Sequence, residues 1–97
     1  MIVQSIPEQI EGFISGSNKY FGVDSMSRSA RRRVVTARIM LVNFLIRNQG
    51  ITNATISEIT GLKHPLIIYY LDRHDQLIES DNVYRDTYVS YKNFLFN

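Results

Sequence analysis

Apolar residues fall into helical spacing over most of this chain. The clearest run opens at Val34: Val34 or Val35, Ile39, Val42, Leu45 and Ile46 recur every three to four positions until Gly50 stops the pattern. It predicts the longest helix, central to the fold. Upstream, PEQIEGFISGSNKYF at 7–21 places Ile10, Phe13, Ile14 and Phe21 loosely at the same interval. Pro7 suits a first turn, Gly12 and Gly16 weaken the helix, and it should end near Gly22. Ile67, Tyr70, Leu71, His74, Leu77 and Ile78 make a third stripe, with Asp72, Arg73, Asp75 and Gln76 mostly outside it, so one face packs and the other is wet. Ser80 or Asp81 can cap a last helix, in which Tyr84, Tyr88, Tyr91 and Leu95 repeat at i, i+4, i+7 and i+11. Between the first two helices, VDSMSRSARRR at 23–33 has no apolar period and reads as a basic loop.

The chain is organised around residues 55–79, TISEITGLKHPLIIYYLDRHDQLIE. Thr55-x-x-Glu58 has the form of a capping box that starts a short helix. Gly61 can adopt positive φ at its end, and Pro65 suits the opening of the next helix at His64-Pro65, so one helix stops and another starts within about four residues. That is a helix-turn-helix pattern. In DNA-binding domains so built, the first residues of the second helix enter the major groove, here Lys63, His64, Leu66 and Ile67.

Composition narrows the classes. Ninety-seven residues make one domain, 1–97, with a modest core and no room for a second catalytic module. The absence of cysteine removes disulfides and thiolate metal sites. Neither a secretory leader nor a long apolar span is present, so the expectation is a cytoplasmic protein without membrane contact, nucleoid-associated or in a phage-infected bacterial cytoplasm. The net charge is only +2, but it is unevenly spread: Arg28, Arg31, Arg32, Arg33, Arg38 and Arg47 lie between Asp24 and Glu58 with no acid among them. Residues 72–86 hold five acids instead. A local basic stripe is the electrostatic footprint.

Arginine suits phosphate, being planar, always charged and capable of two parallel hydrogen bonds, and phosphate contacts dominate DNA affinity. A solvated loop without a partner is the competing reading. Arg38, at the helix start, suits a phosphate or a surface salt bridge, and Arg47 a helix C-terminus where it complements the dipole. His64 is placed to touch a base edge, a phosphate or merely its own helix start. His74 lies on the packed stripe and reads as a core histidine. The two histidines are ten residues apart with no third ligand, which argues against zinc. The tyrosine series could stack on bases but has the spacing of a core or interface face. No phosphate loop, nucleophile elbow or catalytic carboxylate pair occurs, so neither an enzyme, a cofactor nor a small-molecule substrate is expected.

From about Ile10 to Leu95 the chain resembles the C-terminal DNA-binding domain of the bacterial replication initiator DnaA. The pieces that carry the resemblance come in order: KYFGV at 19–23, SRSARRR at 27–33, VVTARIM at 34–40, ISEITGLKH at 56–64 and DRHDQLIESDNVYRD at 72–86. In that family an arginine of the basic loop enters the minor groove while the recognition helix reads the major groove of a short A·T-containing box. Carried over by position, Arg28, Arg31, Arg32 and Arg33 supply the loop contacts, Arg38 a phosphate contact, and Lys63, His64, Pro65 and Leu66 the base-reading corner. The family's usual Asp-His-Ser/Thr-Thr run is here Lys63-His64-Pro65-Leu66, so its recognition sequence does not carry over. The ATPase domain that normally precedes it is absent from this sequence.

The expectation is thus an all-α, compact bundle of about five helices, with a basic loop at 24–33 and a helix-turn-helix at about 55–79. It binds double-stranded DNA in replication initiation or its regulation, as a stand-alone domain of a phage or mobile element. The rival is a protein-interaction module of the same fold that acts on host replication or transcription machinery, pairing through the tyrosine face.

Overall fold

In the computed structural model, which describes residues 4–96, five α-helices follow one another: α1 (Ile6–Phe21), α2 (Arg32–Asn43), α3 (Asn53–Thr60), α4 (His64–Ser80) and α5 (Asn82–Phe96). This is the all-α bundle expected. α1 begins where Ser5 accepts from the Glu8 backbone N–H and ends where Gly22 adopts φ +69°, which glycine alone takes without strain. Gly16 has a packing role as well: a Cβ there would lie 2.8 Å from Leu95 Cδ2, so the missing side chain lets α5 approach α1 closely. The Ser17 and Tyr91 hydroxyls hydrogen-bond across that buried contact.

α2 is the centre of the molecule but not its longest helix. Every side chain from Ile39 to Leu45 is buried, which is the signature of a helix surrounded on all sides. Its α-helical part covers 12 residues against 17 in α4. At Phe44–Asn48 the backbone widens into a π-turn, with Gln49 N–H donating to Phe44 O at 3.2 Å and Ile51 N–H to Leu45 O at 3.0 Å. Phe44 and Leu45 both lie inside the core, where Phe44 meets Phe13 edge-on at 5.0 Å. Asn43, fully buried, donates to Ile39 O at 2.8 Å and to Tyr70 O at 3.0 Å, tying α2 to α4.

α3 starts earlier than the capping box suggests. Thr52, not Thr55, is the cap, accepting from Thr55 N–H at 3.2 Å and donating its hydroxyl hydrogen bond to the Thr55 hydroxyl at 2.8 Å. Ile56, one turn beyond the cap, is fully buried. Gly61 ends α3 at φ +78°, and residues 61–63 connect it to α4. α4 buries Ile67, Tyr70 and His74 on the expected stripe, and α5 buries Tyr84, Tyr88 and Tyr91. Asp81 caps α5 by accepting from Tyr84 N–H at 3.0 Å. No helix among the described residues is long and apolar enough to cross a membrane.

Candidate nucleic-acid interface

The loop between α1 and α2 is wired by its own small polar residues. Asn18 Oδ1 accepts from Ser25 N–H at 2.7 Å, Asp24 from Met26 N–H, Ser27 Oγ from Ser29 N–H and Ser29 Oγ from Arg31 N–H. Each bond satisfies a backbone donor that no helix or sheet serves. The basic segment is therefore a defined surface, and it is shorter than expected because α2 begins at Arg32. Arg28 and Arg31 project from the loop, whereas Arg32 and Arg33 occupy the first turn of the helix.

The eight arginines divide into two groups. Arg47 forms an ion pair with Asp75 at 3.0 Å, Arg73 donates to Gln76, Arg85 to Asn82, and Arg38 to three acceptors. Arg28, Arg31, Arg32 and Arg33 are all exposed, and among the described residues none of their guanidinium groups has a hydrogen-bond or ion-pair partner. Four like charges held within six residues repel one another, so their proximity is a cost to the fold that an anionic partner would offset.

Arg38 does not present its charge to solvent as expected of a phosphate ligand. Its Nε donates to Ser25 O at 3.0 Å, Nη2 to Ser29 O at 2.8 Å and Nη1 to the buried Tyr70 hydroxyl at 3.3 Å. One side chain on α2 thus pins both ends of the 25–29 stretch and ties them to α4. Its partners lie nine to 32 residues away, and nothing in the local sequence announces them. Arg38→Met keeps the apolar stem but removes the three donors, leaving two carbonyls to water. We expect a loss of about 1–3 kcal/mol of stability and faster amide exchange confined to the loop; unchanged exchange at Ser25–Ser29 would show that Arg38 does not hold it.

The corner at the start of α4 is exposed at Lys63, His64, Pro65 and Leu66. Lys63 occupies the cap position without a side-chain cap bond, so neither it nor His64 is spent on closing the helix start. Ile67 is the correction: it is 0 % exposed and faces the core, because it is in phase with Tyr70 and His74. The outward positions beside it are Ile68 and Tyr69, 58 % and 54 % exposed, which the sequence reading overlooked. The tyrosine series on α5 is also accounted for: Tyr84, Tyr88 and Tyr91 are buried, and Tyr84 and Tyr91 engage His74 and Ser17, so that face cannot pair with a partner. Arg32 lines a surface cleft with Arg73, Leu77 and Asp81, which sets the start of α2 beside the C-terminal half of α4. No family model, curated protein or solved structure matches the chain.

Proposed function

We propose that the chain binds double-stranded DNA, as its resemblance to the DnaA C-terminal domain implies, with α3 and α4 acting as a helix-turn-helix. The observation that carries this reading is the contrast among the arginines: the four of residues 28–33 stand exposed and unpartnered, while the other four are each engaged. Arg28, Arg31, Arg32 and Arg33 contact phosphates or the minor groove, and Lys63, His64, Pro65 and Leu66 enter the major groove. His64 to Arg73, the residue that shares a cleft with Arg32, is nine residues along α4, or roughly 14 Å at 1.5 Å per residue. That is close to the roughly 17 Å half-turn of B-DNA, so one duplex can present a major and a neighbouring minor groove to the two features. We place this activity in the initiation or regulation of replication, where host replication proteins are further partners.

Counterion release supplies the test. Neutralising about five phosphates gives a slope of roughly −4 to −5 in log K against log salt. A flat response over the measurable range would sink the reading.

A further inference from the structure

Four of the five glycines are required by the fold itself: Gly16 makes room for Leu95, and Gly22, Gly50 and Gly61 take positive φ. Gly12 has no such reason. It lies inside α1 without positive φ, where glycine is the poorest helix former after proline, and no described atom comes within 4 Å of the Cβ it lacks. Alanine would serve the helix better, so the bare backbone at Gly12 serves something outside the monomer. The position opens onto a groove of about 200 Å³ between α1 and α5, walled by Gln9, Phe13, Gly16 and Phe94 among others. Phe94 is 41 % exposed on its rim.

The charges on the same helix face say what fills it. Glu8, Gly12, Ser15 and Lys19 stand at i, i+4, i+7 and i+11 of α1, which is one face, and all four are exposed. Lys19 has no hydrogen-bond or ion-pair partner among the described residues, and the Glu8 carboxylate accepts only from Ser5, at its own helix start. These residues are also placed symmetrically: the midpoint between Glu8 and Lys19 is the midpoint between Gly12 and Ser15. A two-fold axis through that point lays a second α1 antiparallel on the first, with each copy's Glu8 beside the other's Lys19 and each Gly12 beside a Ser15. The face is its own complement.

We infer that the chain pairs with a second copy of itself through α1, antiparallel, with the partner's helix seated over Gly12 and against Phe94. Glycine and serine at the centre let the two backbones approach, and the two ion pairs at the ends fix direction and register. The pairing is independent of the DNA-binding reading.

Sedimentation of the free chain from about 1 μM to about 1 mM, with no DNA present, reads the pairing and leaves the DNA-binding reading untouched if it fails. The expected result is a reversible dimer with a dissociation constant on the order of 0.1 mM, as suits a small contact. Gly12→Leu should abolish it while raising the melting temperature of the dilute chain, because leucine favours helix and its Cβ enters open space. Glu8→Lys and Lys19→Glu should each weaken association by about tenfold, although they shift the net charge in opposite directions, since two opposite-charge contacts become two like-charge ones. The double variant Glu8→Lys with Lys19→Glu restores both contacts and should recover the wild-type constant. A chain that stays monomeric to about 1 mM overturns the inference. So does a dimer indifferent to Gly12→Leu, or one in which the double variant is as weak as the single ones. A dimer lost on Ile68→Asp but kept in Gly12→Leu would place the pairing on α4 instead.

Discussion

If the chain binds DNA as proposed, replacing Arg31, Arg32 and Arg33 together with alanine should lower the affinity for every duplex, whatever its sequence, by roughly 500-fold in about 0.1 M monovalent salt. The figure follows from counterion release: each phosphate neutralised contributes about 0.9 to the slope of log K on log salt, so three lost contacts flatten it by about 2.7. At one tenth molar salt that change in slope is also the change in log K. The fold itself should be indifferent. None of the three guanidinium groups has a hydrogen-bond or ion-pair partner among the described residues, and surface substitutions away from such contacts stay within about 0.5 kcal/mol. Relief of repulsion, and alanine in place of arginine in the first turn of α2, both act against destabilisation. Arg85→Ala, which removes one positive charge whose partner Asn82 lies on its own helix, serves as a control and should leave the slope nearly unchanged. If the triple variant binds with the wild-type slope, the loop and the first turn of α2 are not the phosphate-binding surface.

What the sequence foretold and what it missed divide along one physical line. Features set by neighbours in the chain were legible. Gly22 ends α1 and Gly61 ends α3 because both must take positive φ, and the stripes of α4 and α5 follow from the 3.6-residue period. Features set by distant partners were not. Thr52, Asn53 and Thr55 can each start a helix, and the structure puts the cap at Thr52, whose hydroxyl accepts from Thr55 N–H. The π-turn at Phe44–Asn48 has no signal in the apolar spacing, which runs on at helical intervals through Leu45 and Ile46. Arg38 looks like any helix-start arginine until Ser25, Ser29 and Tyr70 are brought around it.

Ile67 holds a different lesson. Its place on the packed stripe and its candidacy as a base-reading residue were both stated from the same sequence, although one side chain cannot face the core and the groove at once. Burial settles the conflict, and the helix phase that takes Ile67 inward is what turns Ile68 and Tyr69 outward. The exposed apolar positions in this part of α4 are therefore Ile68 and Tyr69 rather than Ile67.

Acid should destabilise the fold through His74. The imidazole is 4 % exposed, its Nδ1 lies 2.6 Å from the Tyr84 hydroxyl, and its ring stands edge-on to Tyr88 at 4.5 Å. Burial, reinforced by the Arg47 guanidinium and opposed by Asp75, lowers its pKa from 6.5 to about 4. The native state therefore keeps His74 neutral at pH values where the unfolded chain has already bound a proton. Its contribution to stability is complete above pH 6.5 and is lost as pH falls from there through about 4. Between neutrality and pH near 4.5 the loss amounts to about 2–3 kcal/mol, a large share of the roughly 5–15 kcal/mol that holds a domain of this size together. Urea unfolding across that range checks it, with His74→Gln as the comparison, since glutamine retains an acceptor for Tyr84 but does not titrate. The variant should be less stable at neutral pH and lose less on acidification. Parallel losses in the two proteins would show that His74 does not govern the acid sensitivity. The same linkage bears on the DNA measurements. Protonation of His74 favours the unfolded chain, so affinity for a duplex should fall together with the circular-dichroism signal as pH drops toward about 4.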